Sequence, residues 1–481
     1  MNRTFTIFGA GLAGTLMAVL LARRGYRVEL YERRPDPRRG PSERGRSINL
    51  ALSTRGIEGL KRAGLSEEVL ATAIPMRGRM IHPPTANPTL TLLPYSRNPS
   101  HHINSVSRSG LNITMLNAAE RHSNVRVHFG KRCLGMNLET GQAEVKDAAT
   151  GATQWIETET VIAADGAFSG VRSSMQVRDR FDYSQSYLEH GYKELTIPPA
   201  PGGGWRIEKH ALHIWPRGSY MMIALPNQDG SFTCTLFWPF EGPHSFASLT
   251  SREEIVGFFS EHFPDSLPLI PALADDFIHN PTASLVTVRC GPWNVGGRAV
   301  LVGDAAHAVV PFYGQGMNCS FEDCAVLDDC IASHPDDLGE AYADYAAQRK
   351  PNTDALAQLA LENFVEMRDK VNDPAFVFRR RVEHAMEALF PTYTSLYEMV
   401  TFSTIPYAEA AARSAEAQRA VSALGLTREA EQRLGECAIR LAGEAASRPI
   451  EELRKDLRAA AERELGVERL AQLIRTLSTP R

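Results

Sequence analysis

The stretch TFTIFGAGLAG, residues 4–14, decides how this chain begins to fold. Its first half, Thr4 to Phe8, is apolar and rich in β-formers, and it predicts a buried strand. An apolar helix is predicted to follow as far as Arg24, and a second strand from Arg27 to Tyr31. The stretch therefore opens a β-α-β unit with a glycine-rich turn between its first strand and its helix.

The turn carries glycines at positions 9, 11 and 14. In dinucleotide-binding folds the first glycine permits the tight turn, the second lets the backbone approach a pyrophosphate, and the third lets helix and strand pack closely. Glu32 ends the second strand, at the place where a carboxylate can accept a hydrogen bond from a ribose hydroxyl. We therefore predict a dinucleotide site, and a glycine-rich turn in an ordinary β-α-β unit is the alternative.

Two later segments repeat the pattern of a buried strand that runs into an acidic turn. The first is VIAADG (residues 161–166), which places Asp165 at the turn, and the second is AVLVGD (residues 299–304), which ends at Asp304. An Asp at such a turn can accept from a ribityl or ribose hydroxyl, and a helix predicted to begin in GQGMN (residues 314–318) offers free backbone N–H groups. Together these elements predict FAD as the dinucleotide, because a plain NAD site does not need the last of them.

These three motifs resemble those of the single-component FAD-dependent aromatic hydroxylases. More specific segments resemble the members of that family that hydroxylate L-kynurenine, and they are GRSINLALS (45–53), MRGRM (76–80), HGYKEL (190–195) and PFYGQGMN (311–318). The resemblance runs from near residue 3 to near residue 410.

The resemblance implies a reaction of reduced flavin with oxygen. NADPH reduces FAD, O2 adds at flavin C4a, and the resulting hydroperoxide hydroxylates the ring of L-kynurenine to give 3-hydroxy-L-kynurenine. The cofactor carries the difficult step, so the protein has to position the substrate, exclude water from the site and control when the flavin is reduced. The alternatives are the same chemistry on another amino-aryl or phenolic acid, and a non-catalytic FAD-fold binding protein. No motif marks the NADPH docking site, and none has metal-ligand or Ser-His-Asp spacing.

The resemblance also assigns roles to individual residues. The catalytic residues that it places beside the flavin ring are Pro311, Phe312 and Gly314. The cofactor-binding residues that it implies are Gly9, Gly11, Leu12, Ala13, Gly14, Glu32, Arg33, Arg46, Arg108, Asp165, Asp304, Gly316, Met317 and Asn318.

The substrate-binding residues that the resemblance implies are Arg79, Tyr95, Asn363 and Tyr397, with Arg79 and Tyr95 on the amino-acid carboxylate. A guanidinium can grip a carboxylate with two parallel hydrogen bonds, a geometry that lysine cannot supply. Without the resemblance, an arginine in an Arg-Gly-Arg run is more typical of a solvated surface. The tyrosines would then be interpreted as core or rim residues, and Asn363 as an amide on a helix face.

Other basic residues have simpler interpretations. Arg33 and Arg34 could hold the 2'-phosphate of NADP, but a solvated loop with one or two FAD phosphate contacts is favoured, with Arg46 first among them. His307, which lies within the motif around Asp304, is a candidate general base. Beside a buried turn, however, it is more typical of a structural hydrogen bonder.

The motif positions predict a protein of the α/β class, with a Rossmann-like FAD-binding domain, an antiparallel-sheet substrate domain and a helical C-terminal region. The predicted ranges are 1–180 for the first part of the FAD-binding domain with a substrate-contacting insertion near 76–100, 181–284 for the substrate domain, 285–335 for the return of the FAD-binding domain, and 336–481 for the helical region. Alternating segments predict the antiparallel sheet, at Ala211–Trp215, Tyr220–Leu225 and Phe232–Phe237. The helical region includes a predicted helix from Asp354 to Asp369.

The composition agrees with a soluble protein of the cytoplasm. A length of 481 residues suffices for two or three domains, and a formal net charge of −4 gives no nucleic-acid-binding footprint. Seven cysteines without CxxC spacing fit reduced thiols better than disulfides or a zinc site. The uncharged stretch from Thr4 to Ala22 is interpreted as the strand and helix above, and not as a signal peptide or membrane anchor.

Residues 408–481 are rich in Ala, Glu, Arg and Leu, and they predict amphipathic helices interrupted at Pro449. A helical cap or a self-association surface, as in a homodimer, is the favoured role, and binding to a membrane surface is the alternative. Eukaryotic members of the resembled family carry a C-terminal membrane segment, and this chain departs from that pattern. We therefore predict no integral membrane segment.

Overall fold

The computed structural model describes residues 3–40, 49–96, 98–366, 374–390, 393–423, 425–445 and 447–471. Its strands, numbered in chain order, are β1 (Thr4–Phe8), β2 (Arg27–Glu32), β3 (Asn49–Leu52), β4 (Ile74–Met76), β5 (Gly78–Ile81), β6 (Thr91–Pro94), β7 (Ile103–Ser107), β8 (Val125–Phe129), β9 (Lys131–Met136), β10 (Gln142–Asp147), β11 (Thr153–Glu157), β12 (Thr160–Ala163), β13 (Asp182–Ile197), β14 (Leu212–Pro216), β15 (Met221–Pro226), β16 (Phe232–Pro239), β17 (Ala283–Gly291), β18 (Asn294–Val295) and β19 (Ala299–Leu301).

The helices, numbered in the same way, are α1 (Leu12–Arg23), α2 (Thr54–Ala63), α3 (Ser66–Leu70), α4 (Arg108–Glu120), α5 (Gly170–Met175), α6 (Arg252–His262), α7 (Leu273–His279), α8 (Asp304–His307), α9 (Gly316–Ser333), α10 (Leu338–Val365), α11 (Pro374–Leu389), α12 (Leu396–Phe402), α13 (Tyr407–Ala423), α14 (Arg428–Gly443) and α15 (Ile450–Leu465). Short 3-10 helices lie at Phe246–Ser248, Leu267–Leu269 and Pro311–Tyr313.

The first sheet has the strand order β18-β19-β12-β1-β2-β8, and all neighbours are parallel except β18 and β19. The strands predicted from the glycine-rich turn and from the two acidic turns are confirmed as β1, β2, β12 and β19. Because parallel strands share one direction, the turns that follow β1, β12 and β19 meet at one edge of the sheet. Helix α1 is apolar on nearly all sides and is buried against this sheet, as its sequence predicts.

The second sheet has the order β17-β13-β16-β15-β14-β5-β6. The predicted antiparallel strands are confirmed as β14, β15 and β16, which pair in antiparallel register. The hairpin of β5 and β6 joins the same sheet, and β5 runs parallel to β14. This parallel pairing sets Arg79 opposite Leu212, and no local sequence pattern predicts it. The domain ranges given above stay a prediction.

Helix α10 differs from its prediction. The pattern predicts a helix from Asp354 to Asp369, whereas the helix begins at Leu338 and continues through Pro351 to Val365. The predicted end falls beyond residue 366, outside the described residues. Asp337 caps the start, because its side chain accepts hydrogen bonds from the backbone N–H groups of Gly339 (2.8 Å) and Glu340 (3.1 Å). The helix packs on α9 and α13, so tertiary packing outweighs the cost of an internal proline.

The C-terminal helices α13, α14 and α15 confirm the predicted interruption, since Pro449 is the N-cap of α15. One apolar face of α14 and α15 packs on α11 through Leu389, Leu441 and Leu453, which are fully buried. Within the described residues, every helix is too short or too polar to cross a lipid bilayer.

A buried ionic network connects α2, α9, α10, α12 and the start of α13. The Arg55 guanidinium contacts the Glu322 carboxylate at 2.7 Å, donates to the carbonyl of Val400 at 3.3 Å, and lies 4.0 Å from the centre of the Tyr407 ring. Arg349 contacts the same Glu322 at 2.7 Å. Charges buried in this way are stable only when each has close partners. The network therefore sets the position of α12 relative to α9.

A buried histidine chain lies on the face of the second sheet that is turned away from Arg79. His82 Nδ1 contacts Asp265 at 2.7 Å, and His82 Nε2 lies 2.8 Å from His213 Nδ1. His213 Nε2 in turn contacts the carbonyl of Glu208 at 2.7 Å. Neighbouring residues of a strand alternate between faces, so His213 points away from the side that Leu212 occupies. The chain connects β5, which carries Arg79, to β14 and to the segment after α6.

We expect this chain to make the protein less stable in acid. Burial lowers the pKa of His213 from its ordinary 6.5 to about 4, and the carbonyl of Glu208 opposes that change. The unfolded chain therefore binds more protons between pH 6.5 and about 4, and the free energy of unfolding falls through that window by up to about 3 kcal/mol. The unfolding midpoint should fall more steeply with acid in the wild type than in His213→Gln. Equal slopes would contradict the prediction.

Candidate active site

A cavity of about 480 Å³ lies between the edge of the first sheet and the face of the second. One wall consists of the turns after β1, β12 and β19. The opposite wall consists of β5, β14, β15 and β16, and α12 closes one end. Loops and strands that are distant in sequence therefore meet around one space.

The glycine-rich turn contributes Gly9, Gly11, Leu12 and Ala13 to the cavity wall. Gly9 has φ +98°, and a Cβ there would lie 2.3 Å from the carbonyl oxygen of Ala164. A Cβ on Gly14 would lie 1.9 Å from the carbonyl oxygen of Gly9, whereas a Cβ on Gly11 would meet nothing within 4 Å. Gly9 and Gly14 are thus required by the protein's own packing, and Gly11 faces the open space.

Glu32 is buried and lines the cavity at the end of β2. Its Oε2 accepts from the Ala10 N–H at 2.9 Å, and its Oε1 accepts from the Arg34 N–H at 2.9 Å. A carboxylate has about four acceptor positions, so each oxygen can take one further hydrogen bond from a ribose hydroxyl. Arg33 and Arg108 also line the cavity, and Arg46 lies outside the described residues.

The two acidic turns face the cavity from neighbouring strands. Asp165 Oδ2 accepts from the N–H of Gly170 at 2.8 Å, and its Oδ1 is buried and has no partner among the described residues. Burial raises the pKa of Asp165, and hydrogen bonds from Ser169 and Gly170 oppose this. Asp304 is the first residue of α8 and is exposed toward the cavity.

Arg172 holds these two turns together, a role that sequence reasoning missed. Its Nη1 donates to the carbonyl of Ala305 at 2.7 Å, and its Nη2 donates to the carbonyl of Ala167. Arg172 is buried. The sequence does show an arginine in the first turn of a short helix after the acidic loop. It does not show the partner of that arginine, which lies 133 positions away in the chain.

Residues 311–318 form the third part of the wall. Pro311, Phe312 and Gly314 line the cavity, and so do Gly316 and Met317 at the start of α9.

Asn318 is not among the lining residues. Its side chain accepts from the Ser53 N–H at 2.9 Å and donates to the carbonyls of Ala51 and Gly314, each at 2.8 Å. Asn318 therefore supports the turn before α9 from behind.

The far wall of the cavity is apolar and aromatic. Phe312 lies 4.9 Å from Phe237 between ring centres, and Leu212, Met221 and Ile223 complete this wall. The shape and chemistry suit a flat aromatic ring.

Arg79 lines the cavity beside a stacked pair of tyrosines. Its guanidinium carbon is 5.6 Å from the centre of the Tyr95 ring and 5.0 Å from that of Tyr397, and the two rings stack at 5.6 Å. Arg79 Nε is buried and has no hydrogen-bond partner among the described residues. Burial raises the pKa of Tyr95 well above its ordinary value of 10.0, against the effect of the nearby arginine, so its hydroxyl stays neutral and can donate.

The structure does not bring Asn363 to the cavity wall. Its Nδ2 donates to the carbonyl of Phe312 at 2.7 Å, and its side chain is buried. The Phe312 ring packs on Phe364 at 4.3 Å. Asn363 is thus placed to hold the turn that carries Phe312, and direct contact with substrate is not what this geometry favours.

His307 is buried, and its Nε2 lies 2.5 Å from Asp323 Oδ2. Cys319 is close enough to both for the three to be a candidate metal cluster. However, Arg349 already contacts Asp323 at 2.7 Å and Cys319 Sγ at 3.2 Å. Since a guanidinium supplies the positive charge at these ligands, the interpretation of His307 as a structural hydrogen bonder fits the geometry better than a metal centre.

The residues present fit FAD. Gly11 leaves open space at a helix N-terminus, which suits a pyrophosphate. Acceptors of the kind that bind ribose and ribityl hydroxyls, Glu32 and Asp304, lie on the same cavity. The unpartnered Oδ1 of Asp165 supplies another polar atom on that wall.

Comparisons with known proteins agree with this arrangement. A family model described as an FAD binding domain matches residues 3–360. A kynurenine 3-monooxygenase of Myxococcus xanthus is 50% identical over 405 residues, covering 84% of this chain and 87% of that protein. One from Dictyostelium discoideum is 48% identical over 423 residues, covering 85% and 90%.

Solved structures share the fold at low sequence identity. A 2-methyl-3-hydroxypyridine-5-carboxylic acid oxygenase has a TM-score of 0.60 at 20% identity, covering 79% of this chain and 96% of that chain. A probable FAD-dependent monooxygenase from Pseudomonas aeruginosa has a TM-score of 0.62 at 18% identity, covering 78% and 100%. The fold and the site together define an FAD-dependent aromatic monooxygenase. Within that class, the chain belongs to the kynurenine 3-monooxygenase family.

Proposed function

We propose that the protein hydroxylates L-kynurenine at ring carbon 3, with NADPH and O2 as co-substrates. The balanced reaction is L-kynurenine, O2, NADPH and a proton giving 3-hydroxy-L-kynurenine, water and NADP+. The observation that carries the proposal is the placement of Arg79 against the stacked rings of Tyr95 and Tyr397, in an aromatic cavity whose other wall is made by the turns after β1, β12 and β19.

Bound FAD would supply the redox chemistry, taking hydride from NADPH and activating O2 for transfer of one oxygen atom to the ring. We assign the cofactor to eleven of the cavity-lining residues, namely Gly9, Gly11, Leu12, Ala13, Glu32, Arg33, Arg108, Asp165, Asp304, Gly316 and Met317. Gly14 and Asn318 would support the same site from behind.

The chain's own contribution is to position the substrate and to exclude water. We propose that Arg79 grips the carboxylate with two parallel hydrogen bonds, assisted by the neutral hydroxyl of Tyr95. Tyr397 packs on Tyr95 and keeps the guanidinium oriented. Pro311, Phe312 and Gly314 would hold the aromatic ring against the flavin, with Asn363 fixing the Phe312 carbonyl.

No histidine lines the cavity among the described residues. The protein would therefore act by orienting the substrate and by excluding water. The aniline nitrogen of the substrate itself directs attack to the ortho carbon. An apolar wall of Phe237, Leu212, Met221 and Ile223 would keep water from the reacting ring.

We also propose a cytoplasmic location. The seven cysteines are all unpaired, and six of them are buried, which suits a reducing compartment. A homodimer through the C-terminal helices is a further proposal, because α13 exposes most of its length.

The proposed function is tested by measuring NADPH consumption by the FAD-loaded protein with and without L-kynurenine. We expect strong acceleration by L-kynurenine and a product one oxygen atom heavier, hydroxylated at carbon 3. A panel of other amino-aryl and phenolic acids serves as the comparison. Faster turnover with a member of that panel, or NADPH consumption that ignores L-kynurenine, would contradict the proposal.

A further inference from the structure

Helix α12 presents two side chains to the polar end of the cavity. Tyr397 and Thr401 are four positions apart, so they lie on one face of the helix, and both line the cavity. Tyr397 was predicted from the family resemblance, and Thr401 was not. The spacing is a signal that sequence reasoning could have used.

The Thr401 hydroxyl stands out because of its missing partner. The residue is only 1% exposed, and its Oγ1 is buried without a hydrogen bond to any described residue. A hydroxyl inside a helix commonly donates to the carbonyl one turn earlier, as Ser403 Oγ does to Met399 at 2.6 Å. Thr401, on the same helix, makes no such bond. Thr401 is therefore a residue of the cavity wall whose hydroxyl is buried and unsatisfied.

An amino acid carries a carboxylate and an ammonium group, and the residues around this end of the cavity offer a charged partner only to the carboxylate. The carboxylates that line the cavity are Glu32, Asp165 and Asp304, and all three are among the residues assigned to the cofactor. Glu398 is next to Tyr397 in the chain, but its Oε2 is 2.9 Å from His101 Nδ1 and it does not line the cavity. Among the described residues, a substrate ammonium near Arg79 would thus meet only neutral oxygens and ring faces.

We propose that the Thr401 hydroxyl accepts a hydrogen bond from the α-ammonium group of the substrate. The inference rests on the proposed function, since it concerns the amino-acid part of the same ligand. Arg79 and the Tyr95 hydroxyl are donors suited to the carboxylate, whereas the unpartnered Thr401 oxygen can serve as an acceptor. Two different side chains then bind the two charged groups on the α-carbon: Arg79 binds the carboxylate and Thr401 binds the ammonium.

The test is a double cycle of binding measured by calorimetry on the FAD-loaded protein without NADPH. The ligands are L-kynurenine and its analogue with hydrogen in place of the α-ammonium. Thr401→Val keeps the shape and removes the hydroxyl, so it should weaken L-kynurenine binding about 10- to 100-fold, as for a hydrogen bond to a charged group. Binding of the analogue should change less than about twofold, as a direct interaction between the two groups requires.

Two further variants distinguish a direct hydrogen bond between Thr401 and substrate from an indirect effect of disturbing α12. Thr401→Ser retains the hydroxyl and should bind L-kynurenine nearly as the wild type does. Ser403→Ala removes the hydroxyl of the C-cap residue of the same helix, which donates to Met399 and accepts from the Ile405 N–H, and it should leave both affinities unchanged.

The outcomes separate the inference from the proposed function. Equal losses for both ligands, no loss for either, or a similar loss in Ser403→Ala would overturn the role of Thr401. Failure of the wild type to bind and hydroxylate L-kynurenine would instead overturn the proposed function. Retention of the flavin spectrum in each variant confirms that the cofactor site is intact.

Discussion

Arg79→Ala is expected to weaken L-kynurenine binding by about 30- to 1000-fold, or about 2 to 4 kcal/mol, because a charge-assisted two-pronged contact is lost. The guanidinium belongs to a cavity-lining residue, and its Nε has no partner among the described residues. The flavin should remain bound, since Arg79 lies on β5 of the second sheet and not on the turns after β1, β12 and β19. Calorimetric titration of the FAD-loaded variant measures the loss.

The neighbouring Arg77 is the matched control for that variant. It belongs to the same Arg-Gly-Arg run, but it is exposed and does not line the cavity. Arg77→Ala should leave the affinity within about twofold, the range of ordinary surface substitutions. Arg79→Lys should recover only part of the loss, because a point charge cannot reproduce the fork. If Arg79→Ala binds L-kynurenine as tightly as Arg77→Ala does, Arg79 does not hold the carboxylate.

Substitutions of Gly11 and Gly14 are expected to have different effects. Gly14→Ala would place a Cβ 1.9 Å from the carbonyl oxygen of Gly9, a backbone atom that cannot yield without moving the strand. We expect a loss of about 3 kcal/mol or more in the free energy of unfolding, even without FAD. Gly11→Ala meets nothing within 4 Å, and its φ of −73° suits alanine. The FAD-free protein should keep its stability.

Gly11→Ala should nevertheless purify largely without flavin. Its Cβ would project into the space where the pyrophosphate has to approach the backbone. Thermal unfolding of the FAD-free proteins and the flavin absorbance of the purified proteins give the two readouts. A flavin-loaded Gly11→Ala protein, or a Gly14→Ala protein as stable as the wild type, would show that the turn has been misassigned.

The local elements could be predicted from the sequence because they depend on residues that are close together in the chain. The strand, glycine turn, helix and acidic strand end from Thr4 to Glu32 are decided by spacing within one β-α-β unit, and the structure confirms them. The buried strands that precede Asp165 and Asp304 were recognised for the same reason. Family resemblance then added Arg79, Tyr95 and Tyr397, which the structure brings together around one end of the cavity.

Prediction failed where the outcome depends on partners that are distant in the chain. Helix α10 continues through Pro351 because α9 and α13 cover it, although the local pattern predicts a later start. The contact of Asn363 with substrate stays a prediction, and in the structure its side chain donates to the Phe312 carbonyl. Nothing near Asn363 in the sequence indicates which side of its helix the cavity occupies.

The sequence by itself determined the flavin-type turns, the order of their strands along the chain, and the chemistry of the guanidinium that would bind a carboxylate. These follow from backbone freedom at glycine, from hydrophobic periodicity and from side-chain type, all of which act over short distances. Only the tertiary structure decided that β5 pairs with β14, that Arg172 joins the two acidic turns, and that Thr401 faces the cavity without a partner. These depend on which surfaces the folded chain buries against each other, and that choice is made by the whole core at once.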